Sequence, residues 1–424
     1  MLTERGVVPK VILLIAMLTS GYALTTTKYS VAIYLCCLVG VSILVVMLAA
    51  RKFEVKARKF QVALFLLLVL LLPAVAGVII NPSQNNFFGL SKFFLALTFG
   101  AVLFLLFDFR VLQVLFSNAV LVICIVSLPC YMLANMTGFL DLLPVVNNVN
   151  DVGYRFALIF LSFDGFLQYR NIGVFWEPGI FATMIFSALL ADLYSKGKMS
   201  ALRVAIFLVA LVTTFSGAGV ILLFLYISLV SFYSPKQQSS RLWRQVAPVV
   251  AIAVAVFGSG LYVASFQPEA LAYLERLAGK VISPEETQSA RFLSPIIGFQ
   301  VFLDRPVFGW GFASAIDEYR LLSDDIALTS TSAYLMSAIG VSGVLFTLLP
   351  ILGVASQRSL NFPTRSLLIF SYLFVINKEP HTYFTVTHAL AFFSLAALTS
   401  RGGRNEKALL ATGGKSPSGT LLES

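Results

Sequence analysis

The chain has 424 residues, of which 58% are hydrophobic and only 12% charged, against roughly 45–50% apolar and about 25% charged in a soluble globular domain. That excess excludes a soluble enzyme and supplies enough apolar sequence for about a dozen bilayer spans at roughly 20 residues each. The net charge of +10 would suit nucleic acid in a soluble protein; in a membrane protein the position of each Lys and Arg matters more than the sum, and no nucleic-acid partner is expected.

Apolar stretches bounded by charges or turn residues predict spans over 8–25, 29–50, 61–80, 92–107, 111–133, 173–194, 202–215, 217–233, 246–265, 332–355, 365–377 and 383–400. The first follows the basic Arg5 and Lys10 and has no small-x-small cleavage site, so it reads as a retained helix and not as a signal peptide. Spans seven and eight are separated only by Phe215-Ser216-Gly217-Ala218-Gly219; merging them would put every later basic loop on the wrong side. The run from Arg51 to Lys59 marks a cytoplasmic loop. Counting from it, the segments with Lys196, Lys198 and Arg203, with Lys236, Arg241 and Arg244, and with Arg358 and Arg365 fall on the same side, as does the tail with Arg401, Arg404 and Lys407. Both termini are then cytoplasmic and the tail, 401–424, is expected to be disordered. The whole chain, 1–424, reads as one all-α integral membrane domain.

Two outer loops are long. The first, 134–172, is partly apolar from Tyr154 to Leu161, which suggests a segment lying in the interface. The second, 266–331, has helical periodicity over Pro268–Gly279 and a second helix expected to start at Ser294-Pro295, as N-cap and first helical residue, and to run to Asp304 before a Gly and aromatic turn. Cys36, Cys37, Cys124 and Cys130 lie in or beside apolar runs without metal-ligand spacing and read as small buried hydrophobes. With His381 and His388 as the only histidines, a histidine-rich metal site is excluded, and neither metal nor cofactor is expected.

Three outer patches carry chemistry. Arg170 and Glu177 are seven residues apart and share a face if the segment is helical; the alternative is an arginine at the headgroups paired with a nearby carboxylate. Arg291, in Ser289-Ala290-Arg291, and Arg305, in Asp304–Gly311, suit a lipid pyrophosphate, because a guanidinium binds phosphate oxygens bidentately and stays charged. Gly309 and Gly311 would let backbone approach a ligand. Pairing of the two arginines with Glu285, Glu286 or Asp304 is the other reading of this patch. Glu379 and His381 are candidates for proton transfer, although a short polar turn accounts for them equally, and His388 reads as a helix-packing residue. Trp176, Tyr169, Tyr319 and Trp310 suit sugar stacking, but aromatics are expected at a membrane interface in any case. Thr213, Thr214 and Ser216 read as interhelical hydrogen-bonding residues.

In their order these patches resemble the O-antigen polymerase and ligase superfamily. Arg170–Ala182 is similar to its R..G.F.EP...A signature, Ser289-Ala290-Arg291 to its SGR element with the glycine replaced, Asp304–Gly311 to its P.fG.G turn, and Leu335–Gly343 to its L..L...G..G helix start. The likeness covers roughly residues 165–350. It implies a GT-C-type membrane glycosyltransferase at the periplasmic face of the bacterial inner membrane, acting on undecaprenyl-pyrophosphate-linked glycans as donor and acceptor. A chain-length regulator protein is implied as a partner beside membrane lipid. The ligase branch carries a histidine where this chain has Thr329-Ser330, which favours a polymerase that joins repeat units by metal-independent, inverting transfer. By resemblance Arg170, Arg291 and Arg305 bind the pyrophosphate and Glu177 is the base, with Glu379 and His381 behind it. A lipid-linked oligosaccharide flippase is the competing class; it would place ionisable groups near the midplane and show two related halves, whereas these spans are almost free of charge.

Overall fold

The computed structural model describes residues 7–26, 30–50, 56–136, 142–147, 153–157, 161–164, 170–196, 200–233, 287–323 and 328–399. Among the described residues fourteen α-helices carry the fold: α1 (Val7–Leu18), α2 (Ser30–Ala50), α3 (Ala57–Ile80), α4 (Gln84–Leu106), α5 (Phe109–Met136), α6 (Pro178–Lys196), α7 (Ala201–Thr213), α8 (Gly217–Tyr233), α9 (Thr287–Asp304), α10 (Phe312–Leu322), α11 (Thr331–Ile339), α12 (Val341–Ala355), α13 (Phe362–Lys378) and α14 (Thr385–Thr399). Helices lie over every predicted span except 246–265, which falls outside the described residues together with the segment 266–286 and the tail 401–424. Four of them, over Ala57–Ile80, Gln84–Leu106, Phe109–Ala134 and Pro178–Ser195, are long and apolar enough to cross a bilayer.

Helix α3 shows why this is a membrane protein. Val62, Leu66, Leu70 and Ala74 recur every fourth residue along its buried side, while Leu64, Phe65, Leu68, Leu72, Val75 and Ile79 point outward and are exposed. In water such a face would cost roughly 25 cal/mol per Å² of apolar surface; hydrocarbon removes that penalty. Cys36 also faces outward, which corrects the expectation of four buried cysteines, whereas Cys124 is buried.

The described helices form two adjoining cores. One gathers side chains of α1, α5, α6, α7 and α8, the other those of α3, α4, α10, α11 and α12. Helices α4 and α14 contribute to both, through Leu103 and Ala389 in the first and Phe93 and Phe392 in the second.

Several boundaries differ from the hydropathy reading, each for a local reason. Helix α4 begins eight residues before the predicted 92, because the Ser83 hydroxyl accepts from the Asn86 N–H and caps it. Helix α6 begins at Pro178 and not at 173, since proline is suited to a first helical position. The predicted single span 332–355 is two helices broken at Gly340, whose φ of +63° and ψ of −140° only glycine adopts readily. A β-carbon there would stand 2.3 Å from the Val307 carbonyl oxygen. Pro295 lies inside α9 and does not start it. Within the first long loop the chain forms a three-stranded antiparallel sheet, β1 (Val145–Asn147), β2 (Gly153–Ala157) and β3 (Leu161–Asp164), where an interfacial segment was expected, so the chain is mostly but not wholly α. Spans seven and eight are separate: α7 stops at Thr213, Phe215 turns with φ of +44°, and α8 starts at Gly217.

The two ends of the bundle differ in chemistry. At one end basic side chains close helix C-termini: Lys59 Nζ donates to the carbonyls of Phe104 and Phe107 at 3.0 and 2.7 Å, Arg110 Nε to Ser195 at 3.0 Å, Arg365 to Ala355 at 3.1 Å, and Arg58 to Thr399. Asp192, fully buried, takes a bidentate pair from Arg203 at 2.7 and 3.2 Å, and the same guanidinium donates to Asn118 and Ser117 at 2.8 Å. The candidate site residues described below lie at the other end.

Candidate functional site

Residues 170–177 are a strap and not the helix that would have put Arg170 and Glu177 on one face. Its backbone is tied across several helix ends. The Asn171 N–H donates to the Thr213 carbonyl at 2.9 Å, the Ala23 N–H to Val174 at 3.2 Å, and the Trp176 N–H to Gly21 at 3.2 Å. The buried Asn171 amide donates to Thr213 Oγ1 at 3.1 Å and Ser127 Oγ at 3.3 Å while its oxygen accepts the Gly173 N–H, so the side chain pairs a buried backbone donor of the turn. Arg170 Nε donates to the Thr214 carbonyl at 3.1 Å. Thr213 and Thr214 thus do link elements, as expected, but to this strap. The small sheet leans on the same place through Tyr154, whose hydroxyl donates to the Trp176 carbonyl at 3.1 Å.

At the end of the strap Glu177 precedes α6, its carbonyl taking the Phe181 N–H. Two residues on, Gly179 meets a residue two hundred positions away. A β-carbon on Gly179 would stand 1.8 Å from Glu379 Oε1 and 2.5 Å from its Cδ, so the buried Glu379 carboxylate occupies the space beside the first turn of α6. That turn is where backbone N–H groups lack helical partners and a negative charge is favoured. Glu379 is held from behind: its N–H bonds to the Val375 carbonyl, and Thr331 Oγ1 donates to its carbonyl at 3.1 Å. The same Thr331 oxygen accepts the His381 N–H at 2.6 Å. Glu379 and His381, read from sequence as a patch apart from Glu177, therefore pack against the start of α6, the helix that Glu177 precedes.

His381 is enclosed. Its Nε2 stands 3.2 Å from Thr183 Oγ1 on α6 and its Nδ1 3.4 Å from Thr387 Oγ1 on α14, with the Phe384 ring centroid at 4.5 Å. Burial pushes its pKa down to about 3, so the ring is neutral near pH 7 and a poor proton acceptor. His388 packs between the rings of Phe93 and Phe346 and meets the Thr382 carbonyl at 2.8 Å, a packing role as read.

The arginine-bearing turn lies elsewhere. Trp310 and Gly311 donate their N–H groups to the Ser337 and Ala338 carbonyls at 2.8 and 3.0 Å, at the far end of α11 from Thr331, a separation of roughly 9 Å along the helix axis. Gly309 and Gly311, both at positive φ, approach protein and not open space: β-carbons would stand 2.5 Å from the Ala338 carbonyl and 2.9 Å from the Asn86 amide. Arg305 lies flat on Trp310, its guanidinium carbon 3.7 Å from the ring centroid, and donates to Asn81 Oδ1 at 2.7 Å. One face of Trp310 is thereby covered, and Tyr319 is wholly buried, so Tyr319 offers no free ring for sugar stacking. Arg291 falls within α9, but its side chain lies outside the described residues, as do Tyr169, Glu285 and Glu286.

Polar residues that the sequence reading passed over build much of this end. Asn377 Oδ1 accepts from Ser330 Oγ at 2.5 Å and from Ser332, which ties the start of α11 to α13. Asn86 ties α4 to α10, donating to Asn81 and Ser314 and accepting two N–H groups. Their only local signal is polarity inside apolar sequence, where an unpaired amide would be costly. Compared with protein-family models, curated proteins and solved structures, the chain matches none.

Proposed function

We propose that this chain is a membrane glycosyltransferase that polymerises undecaprenyl-pyrophosphate-linked repeat units at the periplasmic face of a bacterial inner membrane. The observation that carries the reading is the buried Glu379 carboxylate lying against Gly179 in the first turn of α6, directly after the strap that bears Arg170 and Glu177, at the end of the bundle opposite the basic helix closures. The resemblance in motif order stands beside it.

In the proposed reaction an acceptor hydroxyl oxygen bonds to the anomeric carbon of the donor as the bond from that carbon to the pyrophosphate oxygen breaks. The hydroxyl proton passes to a carboxylate, and the negative charge stays on the departing lipid pyrophosphate. Glu177, half-exposed at the mouth of α6, is assigned as the base. Glu379, buried against Gly179, is a positioning residue that holds the first turn of α6. The neutral His381 is assigned to positioning as well, since protonating it where it sits would cost the burial penalty again. Arg170 and Arg291 are assigned to the pyrophosphate, whose charge grows as the bond breaks. Arg305 stands apart from these residues, held by Asn81 and Trp310.

Purified protein incubated with a lipid-pyrophosphate repeat unit, with and without chelator, tests the reading. A glycan ladder that persists in chelator and is lost in Glu177→Ala and Arg291→Ala is expected. No ladder, with vectorial movement of the lipid across liposomes, would assign the chain to transport.

A further inference from the structure

We infer that Arg305, Asn81 and Trp310 form a seat for the phosphate of an anionic membrane lipid, with its acyl chains lying against Ile80, Val307 and Phe308. The inference concerns a bilayer lipid and stands whether or not the chain transfers sugar. It begins from a charge for which the described residues supply no counter-charge. Among the described residues no carboxylate stands within ion-pair distance of Arg305, the neighbouring Asp304 included. A half-buried guanidinium with no acid among its described neighbours favours an anion beside it.

The group is also held in place. Trp310 covers one guanidinium face and Asn81 Oδ1 accepts one edge, while Asn81 itself is fixed by donating to the Trp310 carbonyl at 2.9 Å. The remaining N–H groups keep a fixed direction, so an arriving phosphate would lose little to ordering the arginine. Beside it is a cleft of about 310 Å³ lined by Ile80, Arg305, Pro306, Val307, Phe308 and Gly309. Its rim is apolar and uncovered: Ile80, Val307 and Phe308 are 52%, 57% and 45% exposed. Ile80 is the last residue of the bilayer-length helix α3, so the cleft sits at headgroup depth with apolar wall running inward. A cation at headgroup depth above exposed hydrocarbon-compatible side chains fits an anionic phospholipid better than a water-soluble phosphate.

The test uses full-length protein in micelles doped with phosphatidylglycerol or phosphatidylcholine, with bound lipid counted by native mass spectrometry. Phosphatidylglycerol is expected to be retained in preference to phosphatidylcholine, and Arg305→Ala to weaken it about tenfold, in line with losing hydrogen bonds to a charged group. Arg305→Lys should fall between, keeping the charge and losing the fork. Val307→Glu, on an exposed position that leaves the core untouched, should weaken binding as much by placing a carboxylate beside the seat. Equal retention of phosphatidylglycerol by wild type, Arg305→Ala and Val307→Glu would overturn the inference. So would equal retention of the two lipids by the wild type, or displacement of phosphatidylglycerol by inorganic phosphate at matched concentration, which would make the seat a plain anion site. A failed polymerase assay with Arg305-dependent lipid retention would remove the proposed reaction and leave this seat standing.

Discussion

Replacing Gly179 with alanine places a methyl group where the Glu379 carboxylate now sits, 1.8 Å from Oε1. Glu379 is only 2% exposed, and its N–H and carbonyl are tied to Val375 and Thr331, so its backbone does not yield and the carboxylate has to rotate away from α6. Overpacking of this kind costs about 1–3 kcal/mol. The helix itself gains roughly 0.5–1 kcal/mol when glycine becomes alanine, which leaves Gly179→Ala destabilised by about 1–2 kcal/mol. In a Glu379→Ala background the methyl group has room, and the same substitution should be neutral or stabilising. The two changes are therefore expected to couple by about 1–3 kcal/mol, well beyond the roughly 0.3–0.5 kcal/mol scatter of independent sites. Denaturant titrations in mixed micelles of the wild type, both single variants and the double variant measure this coupling directly. Additive effects would refute the reasoning, because they would mean that the carboxylate does not rest on Gly179.

The other predictions concern neighbouring parts of the same architecture. Asp192→Ala leaves the Arg203 guanidinium without its buried partner and should cost about 3–5 kcal/mol, whereas replacing both residues with apolar ones of similar size should cost less; thermal unfolding of the two variants decides. Gly340→Ala combines a disfavoured backbone conformation with a β-carbon 2.3 Å from the Val307 carbonyl, so folded yield in membranes should fall sharply, while Ala338→Gly should leave it largely intact. For His381 the sign runs one way: its folded pKa of about 3 lies below the ordinary 6.5, so the unfolded chain takes up the proton first. Its contribution to stability is complete above pH 6.5 and declines as pH falls from 6.5 toward 3, by at most about 1.4 kcal/mol per pH unit. Stability against pH in His381→Gln should lose that slope, and an unchanged slope would contradict the buried neutral ring.

Much of the fold was legible in the sequence because a bilayer asks a local question. A helix needs only enough consecutive apolar residues to be at home in hydrocarbon, and the stretches around α3, α5, α7 and α8 answer it without reference to any other part of the chain. Helix punctuation was partly legible too: Pro178 is a start signal in plain view, but Ser83 began α4 ahead of its apolar run, and Gly340 broke a stretch that hydropathy carried straight through. The strap at 170–177 defeated the helical reading because its hydrogen bonds go to Thr213, Gly21 and Ala23 on other elements, and no periodicity announces that.

The candidate site divides in the same way. Residue types alone marked Arg170, Glu177, Arg305, Glu379 and His381 as out of place in apolar sequence, since charge near a membrane is costly unless it is used or paired. Which of them stand together was decided only in three dimensions. Glu379 reached Gly179 because α13 ends at the face where α6 begins, and the missing side chain at 179 left the space for a carboxylate. Arg305 was drawn away to Asn81 and Trp310 because the Gly309 and Gly311 turn closes on the end of α11. The physical reason is range: hydropathy and capping act over a few residues and are written locally, while packing and electrostatic pairing act across chain separations that sequence order does not encode.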